Sequence, residues 1–165
     1  MTTVIIALGA NLPSGRYGAP LATLEATCRN LPMRGIALRA CSRWYRSPPW
    51  PPSGQPWYLN AVALCETLLA PGDLLARLHE IEAETGRRRR HPNQARPLDL
   101  DLIDHGGRVT SGWDWPRLPH PRLQDRAFVL RPMAEVAPAW RDPRNGRSLA
   151  SLLAALPEDG LCQPI

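Results

Sequence analysis

The segment Arg96-Pro97-Leu98-Asp99-Leu100-Asp101-Leu102-Ile103 decides how the rest of the chain is read. Leucine and aspartate alternate strictly through it. Side chains on a strand have a period of two, so Leu98, Leu100 and Leu102 turn to one face and Asp99 and Asp101 to the other. At a rise of about 3.3 Å per residue the two carboxylates stand ~7 Å apart along the strand. Two readings fit. The pair is either the solvated face of a half-buried strand or a platform for one or two hard cations. Magnesium suits the second, because it binds through one or two carboxylates and fills its remaining positions with water and phosphate oxygens. The flanking charge argues the same way: Arg87-Arg88-Arg89-Arg90-His91 precedes the strand and Arg96 adjoins it. Cations packed so densely beside a carboxylate pair point to a metal-bound polyphosphate between them.

Composition narrows the chemistry further. All 20 basic residues are arginine, with no lysine anywhere. A P-loop lysine, a Schiff-base lysine and a kinase-type catalytic lysine are therefore excluded. Phosphate must be held by arginine forks, histidine, backbone amides or metal. The net charge of +5 fits either nucleic acid or a small polyanion such as a nucleotide. At 165 residues the chain is expected to form one domain, residues 1–165, with a core that needs no disulfide or structural metal. Cys28, Cys41, Cys65 and Cys162 lack any CxxC spacing and read as reduced, mostly buried residues. Met1–Gly9 lacks the basic flank of a signal peptide, and no uncharged run approaches 18 residues. A cytoplasmic protein without a membrane span is expected.

Working outward from the acidic strand, Val4–Leu8 reads as a buried first strand and Leu21, Leu24, Cys28 and Leu31 as the apolar face of a helix. Ile36–Tyr45 reads as a second strand. Residues 46–57 hold Pro48, Pro49, Pro51, Pro52 and Pro56, which forces a long irregular loop. Asn60–Thr67 is a third strand, and Pro71–Thr85 a helix with Leu74, Leu75, Leu78 and Ile81 on one face, stopped by Gly86. Helices over about Arg126–Val136 and Leu149–Leu156 follow a tryptophan- and proline-rich connection. The order β-α-β-β-α-β predicts an α+β fold, a split β-α-β (ferredoxin-like) sandwich with helices packed on one face of an antiparallel sheet. Long loops inside so compact a domain are usually functional, and those flanking the acidic strand read as mobile lids.

Further segments fall in a telling order. Gly9-Ala10-Asn11-Leu12 comes first, then Tyr45-Arg46-Ser47-Pro48-Pro49, Tyr58-Leu59-Asn60, Gly86-Arg87-Arg88-Arg89, Arg96-Pro97-Leu98-Asp99-Leu100-Asp101, Pro119-His120-Pro121 and Arg126-Ala127-Phe128. Together, from about Val4 to Ala139, they resemble the 6-hydroxymethyl-7,8-dihydropterin pyrophosphokinases of folate biosynthesis. The resemblance implies transfer of pyrophosphate from ATP to a pterin hydroxymethyl group, with AMP released. It implies a pterin slot from Ser47, Pro48, Pro49, Tyr58, Asn60 and Phe128, and two magnesium ions on Asp99 and Asp101. It implies ATP contacts from His79, Glu82, Arg87, Arg89, Arg96, Leu102, His120 and Arg126, with Arg87 and Arg96 joining the two aspartates in catalysis. Read without it, Phe128 is core packing and His79 and Glu82 are solvated helix-end residues. Small-molecule partners only are expected, with no nucleic acid and no membrane, acting on a monomer. The rival of a nucleic-acid-binding module fails on its aromatics, since the stacking pattern on central strands is missing. The pattern departs from the family at Asn93-Gln94-Ala95, where Trp-Gly-Pro is common, and at Ala10, where serine is usual.

Overall fold

The computed structural model describes residues 1–86, 94–158 and 161–165. Among the described residues the strands and α-helices in chain order are β1 (Thr2–Ala10), α1 (Pro20–Asn30), β2 (Ile36–Cys41), β3 (Tyr45–Ser47), β4 (Tyr58–Thr67), α2 (Pro71–Glu84), β5 (Asp99–His105), α3 (Ala127–Val136), α4 (Leu149–Ala154) and β6 (Gln163–Pro164). All pairings are antiparallel. Across the sheet the order is β5-β1-β4, and the far edge of β4 is shared end to end by β2 and β3, with β6 outside β3.

The predicted second strand is interrupted. At Ser42 the backbone N–H donates to Val62 O and the side-chain Oγ accepts from Val62 N–H, both at 3.0 Å. A hydroxyl stands in for a carbonyl, so pairing is kept while the strand breaks into β2 and β3. Strand β4 begins at Tyr58, two residues before the expected start. Tyr58 and Asn60 consequently share one face of one strand. The short strand β6 had no signal in the sequence.

The placement of helices on one face is corrected: they cover both. Helices α1 and α2 bury Leu24, Leu74, Leu78 and Ile81 against Val4, Ile6, Leu8, Leu98, Leu100 and Leu102 on the first face. Val129, Leu130 and Met133 of α3, with Leu149 and Leu152 of α4, cover Ile5, Val62 and Ile103 on the second. The reason was present in Val4–Leu8, a continuous apolar run. A sheet wetted on one side shows alternation, while one buried on both sides does not. Strand β5 keeps its alternation only as far as Leu102. A register shift pairs Ile6 with Leu102 but Ile5 with Asp104, leaving Ile103 as the extra residue, turned to the second face. Beyond Ile103 no aliphatic residue of β5 is left to pack. No helix among the described residues is long and apolar enough to cross a membrane.

Candidate active site

Because Leu98, Leu100 and Leu102 are committed to the first core, Asp99 and Asp101 project from the second face, beyond the reach of the α3 and α4 core. They open into a cleft whose floor is a cross-strand row: Asn60 of β4 pairs with Gly9 of β1, and Gly9 pairs with Asp99 of β5. Gly9 keeps that floor flat. A Cβ there would stand 3.0 Å from Asn60 Oδ1 and 3.6 Å from Tyr58 Cδ1. The end of β3 and the proline-rich segment after it supply one wall with Ser47, Pro48 and Pro49. The segment leading into α3 supplies the other with His120 and Arg126, joined by Phe128 from the first turn of α3.

Each carboxylate has an arginine at hand. Arg96 Nη1 lies 3.0 Å from Asp99 Oδ1, and Arg126 Nη1 lies 3.3 Å from Asp101 Oδ2. The aspartate side chains are 23% and 30% exposed, so water and ligand can reach them. Burial alone would lower the Arg96 pKa, but Asp99, then Tyr58 and Asp101, hold it above its ordinary value. Arg96 is charged at every physiological pH. The Arg126 guanidinium also sits 5.5 Å from the centroid of the Phe128 ring. Burial, then the nearby Arg126 charge, pulls the His120 pKa down to about 4, so this histidine is neutral at pH 7. Its Nδ1 accepts the Arg122 N–H at 3.2 Å, which assigns the ring proton to Nε2.

The polar groups of the opposite wall are oriented as well. Asn60 Nδ2 donates to Ser47 Oγ at 2.7 Å. With Nδ2 engaged there, Oδ1, the atom nearest the Gly9 floor, is placed to accept from a ligand. Asn11 joins the two loops at the mouth. Its Nδ2 donates to Gln55 Oε1 and Pro56 O, its Oδ1 accepts from Arg96 N, and Arg96 O accepts the N–H groups of Asn11 and Leu12. The backbone that carries Arg96 is thereby tied to the proline-rich wall.

The structure thus gathers Ser47, Pro48, Pro49, Tyr58, Asn60, Arg96, Asp99, Asp101, His120, Arg126 and Phe128 around one cleft. It leaves His79, Glu82 and Leu102 out of it. The Leu102 side chain is buried in the first core, and Glu82, 1% exposed, accepts the Leu100 N–H at Oε1, 3.1 Å away. His79 lies half-buried on α2. Arg87 and Arg89 fall outside the described residues. Phe128 combines both of its readings: it is half-buried, packs on the second core and still lines the cleft. Sequence reasoning gave no role to Gly9, Asn11 or Gln55. A glycine between Leu8 and Ala10 in an otherwise apolar strand was an available signal, since such a glycine marks close approach.

The donor set fits a hard cation. Both candidate ligands are carboxylates, no thiol is near, and the site opens to water. Among the described residues no cluster of three His, Cys, Asp or Glu side chains could hold a metal ion. A cation here would complete its shell with water and ligand oxygens, which is the habit of magnesium on a polyphosphate.

Comparison with known proteins agrees with this geometry. Residues 5–138 match the family model described as 7,8-dihydro-6-hydroxymethylpterin-pyrophosphokinase. The 2-amino-4-hydroxy-6-hydroxymethyldihydropteridine pyrophosphokinase of Pseudomonas aeruginosa is 44% identical over 160 residues, covering 96% of this chain and 94% of that protein. Its namesake from Synechocystis is 40% identical over 152 residues, covering 90% of this chain and 73% of the relative. Among solved structures, the wild-type HPPK-DHPS of Plasmodium falciparum with SDX-DHP superposes with a TM-score of 0.70 at 9% identity, a likeness of fold alone. This chain covers 44% of that longer one.

Proposed function

The chain belongs to the 7,8-dihydro-6-hydroxymethylpterin-pyrophosphokinase family, and from that premise we propose how its cleft works. The enzyme transfers pyrophosphate from ATP to the hydroxymethyl group of 6-hydroxymethyl-7,8-dihydropterin, a step of folate synthesis. The hydroxymethyl oxygen bonds to the β-phosphorus of ATP, the β-phosphorus–oxygen bond to the α-phosphate breaks, AMP leaves and the hydroxyl proton is released. Such a displacement depends on positioning and charge neutralisation more than on covalent help.

The observation that carries the reading is the meeting of an aromatic, amide-lined slot and a carboxylate–arginine cluster in one cleft. Tyr58 and Phe128 would hold the flat heterocycle, and Asn60 Oδ1 would accept from its ring-edge N–H donors. With the ring stacked over Asn60, an analogue lacking those donors leaves a polar atom covered and unpaired and is rejected. Asp99 and Asp101 would hold two magnesium ions. Bound there, magnesium would neutralise phosphate charge. Arg96 and Arg126, each already next to one of those carboxylates, would turn to the phosphate oxygens, joined by Arg87 and Arg89 and by neutral His120 as a donor through Nε2.

ATP contacts from α2 and Leu102 have a separate support. Leu100 N–H points away from β1 toward Glu82. Leu102 lies two residues on, so its backbone turns to the same outer edge, where an adenine ring can bond to it as another strand would. His79 and Glu82 stand beside that edge on α2. We read the sheet order as the split β-α-β arrangement, with β2 and β3 acting as one broken strand. The described residues of the cleft all come from one copy of the chain, which supports a monomeric, single-domain enzyme. The test is product identity: purified protein, ATP, magnesium and the pterin should yield AMP and pterin diphosphate in equal amounts by chromatography. ADP as the nucleotide product, or AMP formed without pterin, would overturn the reading.

A further inference from the structure

Two thiols on the far side of the sheet stand close enough to react with one another. Cys28 lies near the end of α1 and Cys41 closes β2, and their sulfurs are 4.0 Å apart in a thiol–thiol hydrogen bond. Both belong to the first face: Cys28 packs on the α1–α2 core, and Cys41 pairs with Ala63 of that core. The cleft opens on the second face, so neither thiol takes any part in the mechanism above. Cys41 is exposed and Cys28 half-buried, while Cys65 is fully buried and Cys162 lies apart on the second face near Tyr45 and Arg131.

We propose that Cys28 and Cys41 form an oxidative modification site, a dithiol that a hydroperoxide converts to an intramolecular disulfide joining α1 to β2. The two halves of the pair are unequal in the way this chemistry needs. The thiol–thiol hydrogen bond, in which either sulfur can donate, lowers the Cys41 pKa and, with burial, raises that of Cys28. Cys41 is thus both the more accessible thiol and the better source of thiolate, which is the nucleophile. Its sulfur attacks one peroxide oxygen, the O–O bond breaks, and water or an alcohol leaves, giving Cys41 sulfenic acid. Cys28 sulfur then attacks Cys41 sulfur, the S–O bond breaks, and a water carrying the Cys28 proton departs. Two thiols and one hydroperoxide yield one disulfide and two molecules of water, or one of water and one of alcohol. Bridging brings sulfurs that are 4.0 Å apart to the ~2.05 Å of an S–S bond.

The experiment treats the native, fully reduced protein with a slight excess of hydrogen peroxide, quenches with an alkylating agent and maps peptides by mass spectrometry. The expected result is a fall in free thiols from four to two, a mass lower by about 2 Da for the hydrogens lost, and a single Cys28–Cys41 bridge. Cys65→Ser should leave the bridge intact. Cys28→Ser should replace it with a Cys41 sulfenic acid that dimedone traps. Four thiols remaining after treatment would overturn the proposal, provided the urea-unfolded chain oxidises in parallel. A bridge to Cys65 or Cys162, or a disulfide between two chains, would overturn it equally.

Discussion

Strand β5, with Leu98 just before it, presents two regions of different residue type on its two faces. On the first face Leu98, Leu100 and Leu102 are at most 4% exposed and pack beneath α2. On the second, Asp99 and Asp101 stand in an open cleft beside Arg96 and Arg126. One backbone serves both, yet burial of apolar area holds the first side in place and the second contributes little to it. Partly exposed ion pairs are worth about 0–1 kcal/mol each, whereas a fully buried leucine contributes roughly 2–3. The contrast teaches that stability and chemistry are separable here along a single strand, one residue apart.

The sharpest attempt to break that separation is to neutralise the acidic side. Asp99→Asn with Asp101→Asn should reduce turnover by about a thousandfold or more, and either alone by at least about a hundredfold, the scale of a key electrostatic contributor. The melting temperature should move by no more than a few degrees. A double variant that keeps near-normal kcat at saturating magnesium would show that the carboxylates are only a solvated face. The opposite substitution works on the other side of the strand. Leu100→Ala should lose about 3 kcal/mol of unfolding free energy in a urea titration. Turnover per folded molecule should stay within a few-fold of normal. A large fall in kcat without loss of stability would mean that the first face shapes the site directly.

Phe128→Ala sits between these extremes, since Phe128 belongs partly to the second core and partly to the cleft. The loss of a stacking partner should weaken pterin binding by about 2 kcal/mol in calorimetry and leave ATP binding nearly unchanged. A stability loss above about 3 kcal/mol with pterin affinity intact would return Phe128 to plain core packing. Gly9→Ala is a smaller perturbation of the same slot. The new methyl would press on Asn60 Oδ1 at 3.0 Å, and the amide must give by a few tenths of an ångström. Pterin affinity should fall by roughly 1 kcal/mol, about fivefold, the size of one compromised neutral hydrogen bond. Unchanged affinity would show that Asn60 does not read the ligand.

The first face of β5 and the acidic pair opposite it were legible because strict alternation has a single structural meaning. So were α2, with its apolar face and Gly86 stop, and the irregular stretch around Pro48 and Pro49. The helices on the second face were misplaced even though Val4–Leu8 lacked the alternation of a one-sided sheet. The break at Ser42 was hidden because it depends on one hydroxyl bonding across to Val62, a tertiary event with no local signature. Asn11 was hidden for the same reason: its partners Gln55 and Arg96 are 44 and 85 residues away in the chain. Residues that act alone on one periodic element can be read from order, while residues that join loops need the fold.

His120 provides the mildest test, because it lies on the acidic side by position and behaves like the leucine side by charge. Its backbone N–H donates to Ile103 O, the end of the alternating run, at 2.8 Å, which ties its main chain to β5. Burial and the Arg126 charge bring its pKa down to about 4 from an ordinary value near 6.5. Between those values the unfolded chain binds a proton that the folded chain does not. Its contribution to stability is therefore fully present above pH 6.5 and is lost as the pH falls through that window toward 4. His120→Gln should make the ligand-free protein's stability fall less steeply with acid between pH 6 and 4, and leave it unchanged from pH 7 to 8. Urea titrations of both proteins at half-unit steps decide the point. A difference that instead grows between pH 6 and 8 would mean that the ring is charged near neutrality, and the cleft's positive charge would then extend beyond its arginines.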